Sequence, residues 1–114
     1  MQPDKAKELS ALANKQIELA GRYEQSRRKA GEAKTDLDIL LVTHIKDIRA
    51  QKSNVGIEMA YIMLMEIEPT ARQIYKTMIE ETENYKGLEV LIEAHQSKIS
   101  LEQSVLRYFR EEKY

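Results

Sequence analysis

The chain has no cysteine and no tryptophan, one phenylalanine, four glycines and two prolines. Without thiols there is no disulfide, no thiolate metal site and no cysteine nucleophile. Such usage fits a reducing compartment, and a cytoplasmic location is expected. Gly21, Gly31, Gly56 and Gly87 are too dispersed for a phosphate-cradling loop or a dinucleotide fingerprint. No Gly-x-Ser-x-Gly elbow is present. No apolar run approaches the roughly 20 residues of a membrane span. The opening Met1-Gln2-Pro3-Asp4-Lys5 lacks an apolar signal core, so no membrane partner is expected. The formal net charge of -1 gives no global basic field for nucleic acid.

What remains is charge and helix-forming residues. At 114 residues the chain is expected to form one helical domain, residues 1–114. Charged residues make up 32%, against 6% aromatics, and the breakers are few, which favours an all-α fold. Charge is unevenly spread: residues 1–53 hold 11 basic and 8 acidic groups, residues 54–114 hold 7 and 11. Oppositely biased halves attract each other, within a chain or between chains, although solvated helix faces account for the same counts.

Asp4 is placed to cap a first helix. Steps of three and four from there meet Ala6, Leu9, Ala13, Gln16, Ala20, Tyr23, Arg27, Ala30, Lys34, Leu37, Leu41, His44 and Ile48. Nine of these thirteen are apolar, which predicts one seam along residues 4–51. Gly31 weakens the stretch, and Thr35 with Asp38 imitates a fresh helix start. One long helix is favoured over two hinged near Gly31, because no proline intervenes.

Ser53-Asn54 offers a cap for a shorter helix over residues 55–67, apolar nearly all round. Its methionines make an adaptable surface, and Tyr61 and Met63 are candidate partner contacts. Pro69 interrupts, and Thr70 with Gln73 forms a capping-box pattern. A second long helix over residues 70–111 follows, with a seam through Ala71, Ile74, Met78, Glu81, Tyr85, Leu88, Ile92, His95, Ile99, Glu102, Leu106 and Phe109.

Each long helix spans roughly 60–70 Å at 1.5 Å per residue, which is hard to satisfy in a compact monomer. A coiled-coil-like hairpin or bundle is therefore expected to oligomerise, as a dimer or larger. Leu37, Leu41, His44, Ile48, Leu88, Ile92, His95, Ile99 and Leu106 would form the seam between copies.

Chemistry is sparse. His44 and His95 fall on the seams, but neither has a Glu three residues before it, as a di-iron bundle requires. Hydrogen-bonded histidines that fix register are the expectation, with no metal and no cofactor. Glu80-Glu81-Thr82-Glu83 splays around its helix and reads as a solvated face rather than a catalytic pair. Arg27-Arg28-Lys29 is the densest basic cluster, suited to phosphates or to an acidic protein surface, and Lys46, Arg49 and Lys52 add a second stripe. Only Tyr23 lies close enough to supply the stacking that single-strand binding uses. Tyr108 and Arg110, in the Tyr- and Arg-rich end, are the remaining candidate partner contacts.

The stretches Lys52-Ser53-Asn54-Val55-Gly56-Ile57-Glu58-Met59-Ala60 and Tyr85-Lys86-Gly87-Leu88-Glu89-Val90-Leu91-Ile92-Glu93-Ala94-His95-Gln96-Ser97-Lys98-Ile99-Ser100 resemble small helical proteins of bacteriophage early or recombination gene clusters. The likeness covers about the second half of the chain and supplies no site residues. It implies work inside an infected or lysogenic bacterium. There, such proteins block a host or anti-phage defence enzyme, or assist phage replication or recombination. The expected function is thus a non-enzymatic, protein-binding modulator that inhibits a nucleic-acid-processing or immune complex by covering its surface. A nucleic-acid-binding accessory protein and a structural oligomer are the alternatives.

Overall fold

The computed structural model describes residues 3–112, all-α, as α1 (Pro3–Gln51), α2 (Ile57–Ile67) and α3 (Thr70–Glu112). Among the described residues there is no strand. Helix α1 passes Gly31 without a break, so the single long helix is what forms. It starts at Pro3, whose missing N–H costs nothing at a first helical position. Asp4 therefore sits inside the first turn, where its charge suits the helix dipole, rather than capping from outside. The described chain falls into two compact units. One joins the residues up to Gln25 with those from Asn84 onward; the other is Ser26–Glu83.

In the first unit the start of α1 packs antiparallel on the end of α3. Lys5 Nζ donates to Glu102 Oε2 at 2.9 Å, and hydrogen bonds to Glu102 and then Glu8 hold its ammonium above the ordinary lysine pKa. His95 Nε2 donates to the Leu12 carbonyl at 2.7 Å. Tyr23 and Tyr85 meet edge to face, centroids 5.9 Å apart. Seven residues forward from Lys5 to Leu12 match seven backward from Glu102 to His95, two turns on each helix. Leu19 and Leu88 lie between these ties and are 4% and 2% exposed.

The inner stripe of α1 corrects the expected seam. Leu9, Gln16, Tyr23, Ala30 and Leu37 face inward as expected, but Leu12, Leu19, Ser26 and Ala33 fill the alternate positions. Ala13, Ala20, Arg27 and Lys34 are exposed instead. From the shared positions a step of three or of four is equally helical. Burying a leucine gains more than burying an alanine, and charged Arg27 and Lys34 resist desolvation. Gln16 is the weak link: its Oε1 is buried with no hydrogen-bond partner among the described residues.

The second unit holds the core. Leu37, Ile48, Leu64 and Ala71 are buried together, with Leu40, Leu41, Tyr61, Met63 and Met78 packed against them. Helix α2 buries Ala60 and Leu64. Its N-cap is Gly56, with extended backbone and no side-chain cap, so the expected Ser53-Asn54 cap does not form. The turn from α2 to α3 is tied by the Glu68 amide donating to the Leu64 carbonyl at 2.7 Å and the Ala71 amide to the Glu68 carbonyl at 3.0 Å. Thr70 Oγ1 donates to Glu68 Oε1 at 2.9 Å, and Thr70 is itself the first residue of α3 rather than the cap outside it that the expected capping box with Gln73 requires.

The residues expected to join copies are thus largely used inside one chain. Leu37, Ile48 and Leu88 are buried, Leu41, His44, Ile92, His95, Ile99 and Leu106 half-buried. Antiparallel return of α3 along α1 supplies cover for these residues within each unit.

Candidate interaction surface

Several polar side chains on the helices are committed to structural contacts. His95 is bonded to a backbone carbonyl across the helix pair, the register-fixing role expected of it. His44 lies between carboxylates, Nδ1 3.8 Å from Asp47 Oδ2 and Nε2 3.8 Å from Glu68 Oε2, within ion-pair reach but too long for hydrogen bonds. Thr43, Thr82 and Ser97 each donate to the carbonyl four residues back in their own helix. Among the described residues no group of three or more His, Asp or Glu side chains is placed to hold a metal. No described helix is long and apolar enough to cross a membrane.

The candidate partner residues divide. Arg27, Arg28 and Lys29 are exposed, with Arg28 Nε 3.9 Å from Glu32 Oε1 one turn on. Tyr108 and Arg110 are also exposed. Tyr61 and Met63, by contrast, pack against the core of the second unit. The Tyr61 hydroxyl donates to Asp38 Oδ1 at 2.8 Å, and its ring lies 6.2 Å from that of Tyr75. Burial, and then the Asp38 hydrogen bond, raise the phenol's pKa above the ordinary value.

That shift fixes a sign. A pKa raised on folding contributes stability in full below the unfolded value, near 10, and loses it as pH climbs through the folded one. Tyr61→Phe should therefore cost about 1 kcal/mol at pH 8, through the lost hydrogen bond. The gap to the wild type should close as pH rises past 10 in denaturant melts. A gap that stays constant with pH would show that the Asp38 bond is not what stabilises Tyr61.

What the periodicity reading missed is the outward apolar set. Ile57, Met59 and Ile62 on α2 are 60%, 43% and 48% exposed. At 100° per residue Met59 and Ile62 stand opposite the buried Ala60 and Leu64. The same outer face carries exposed Glu58 and Glu66. No basic residue occurs between Lys52 and Arg72. On α1 of the same unit, Ile39 and Val42 sit one turn apart, 59% and 72% exposed. The available signal was apolar residues left over after each seam had been filled.

No protein family, no curated protein and no solved structure matches the chain.

Proposed function

We propose that the chain is a non-enzymatic protein-binding module that acts by covering a partner's surface. The carrying observation is the outer face of α2, where Met59 and Ile62 stand in water between Glu58 and Glu66. Exposed apolar side chains with a rim of one charge suit a partner with an apolar ridge and basic flanks. Surfaces that hold nucleic acid have those flanks, because lysine and arginine neutralise phosphates. The reading is therefore inhibition, with α2 seated on the basic surface of a bacterial nucleic-acid-processing or immune complex. The resemblance to small phage proteins supports the same setting.

The second reading, nucleic-acid binding, is favoured by exposed Arg27, Arg28 and Lys29. One experiment separates the two. Stoichiometric capture of a defined bacterial complex should survive Arg27→Glu/Arg28→Glu and be lost with Met59→Lys/Ile62→Lys. The lysine pair removes apolar contact and neutralises the acidic rim, while the exposed positions leave the fold intact. Capture that depends on the arginines, or salt-sensitive binding to naked nucleic acid, would sink the α2 reading.

A further inference from the structure

Helix α3 carries a second stripe that the first unit leaves uncovered. Gly87, Val90, Ala94, Ser97, Leu101, Ser104 and Tyr108 follow one another in unbroken steps of three and four, and all are exposed. None is charged. Val90, Leu101 and Tyr108 are 65%, 64% and 59% exposed, and Leu91, beside the stripe, is 53% exposed. The inner stripe through Leu88, Ile92, His95 and Ile99 already faces α1, and this one points roughly the opposite way around the helix. Three-four spacing is the repeat by which one helix packs along another. Small residues let the backbones approach, and the larger ones fill the layers. The Ser97 hydroxyl already donates to the Glu93 carbonyl at 3.1 Å, so burying it leaves no donor unsatisfied.

We infer that this stripe pairs with the same stripe of a second copy, parallel and in register. Charge complementarity selects the occupant and the direction. In a parallel pair each flanking residue faces the one five positions later on the other helix. Glu93 then faces Lys98 of the second copy, twice by symmetry, and Lys86 and Ser100 face apolar Leu91 and Val105. Two antiparallel pairings overlap most: Gly87 opposite Ser104 brings Lys86 against Arg107 on both sides, and Val90 opposite Tyr108 brings Lys98 against its own copy. Like charges across the seam count against both. This pairing involves α3 alone and does not rest on the α2 reading, so either can fail without the other.

The absence of cysteine makes the test clean. Ser104→Cys should form an interchain disulfide under mild oxidation, since parallel register sets position 104 against its own copy. In either antiparallel alternative the two sulfurs lie about 10 residues or more apart, roughly 15 Å at the least, beyond disulfide reach. Sedimentation of the wild type should show a monomer–dimer equilibrium, abolished by Leu101→Glu with helix content unchanged. Glu93→Lys should weaken it about tenfold by setting like charges against each other, and Glu93→Lys/Lys98→Glu should restore it. A monomer at hundreds of micromolar, as would follow if a foreign protein were the occupant, overturns the proposal. So does a dimer that Ser104→Cys cannot trap, or a double variant that stays weak.

Discussion

Leu64→Ala is expected to destabilise the chain by about 3–5 kcal/mol in equilibrium denaturation, at the upper end for a truncated core leucine. Leu64 is 0% exposed and is the point at which α2 enters the cluster of Leu37, Ile48 and Ala71. Truncation loses the transfer energy of the removed methyls and leaves a void. Refilling it requires α2 to shift, but α2 is tied to α3 through the Glu68 carbonyl and the Ala71 amide. Stability on the order of 5–15 kcal/mol is usual for a single domain, so the loss is a large share of it. Leu41→Ala, at a half-buried position, should cost clearly less. Loss below about 1 kcal/mol at Leu64 would mean that the core is not assembled as described.

The second large effect has the opposite sign. Gly21, Gly31 and Gly87 lie inside long helices, none has positive φ, and a Cβ at each meets nothing within 4 Å. Glycine there provides no conformation that alanine cannot adopt, while it adds entropy to the unfolded chain. The triple change to alanine should stabilise by about 2–3 kcal/mol, close to the sum of the single gains, because no added Cβ meets a neighbour. Gly56 is left out because its extended backbone caps α2. A triple variant no more stable than the wild type would argue that α1 or α3 is bent or open at these glycines.

The helices were legible because composition, proline placement and periodicity all agreed. Ile57–Ile67 and Thr70–Glu112 fall within two residues of the expected bounds, with Pro69 marking the boundary between them. The seam was legible only in part. Local spacing cannot choose between Leu12 and Ala13, or between Leu19 and Ala20, because both lie on helical steps from Leu9 and Gln16. The choice is made by α3, through burial volume and ties such as His95 to Leu12. The cap of α2 was missed for a similar reason: Ser53-Asn54 has the right chemistry, but the chain stays non-helical until Gly56. The outward faces were the least legible. An apolar residue off a seam looks like noise in a periodicity count until the partner of that seam is known. Ile62, Val90 and Leu101 show themselves only once Leu64, Leu88 and Ile99 are seen facing in.

The outward faces of α2 and α3 are outward only because the inner stripes of α1 and α3 cover each other within a single chain. Leu19→Cys/Leu88→Cys tests this directly, because the ties at Leu12 with His95 and at Tyr23 with Tyr85 set these two positions face to face. Oxidation of the dilute protein should close a disulfide inside one chain, seen as a monomer of altered mobility on a denaturing gel. Leu19→Cys/Ile99→Cys, displaced about 16 Å along the axis, should not close. Disulfides that only join two chains, or equal closure of both pairs, would contradict it.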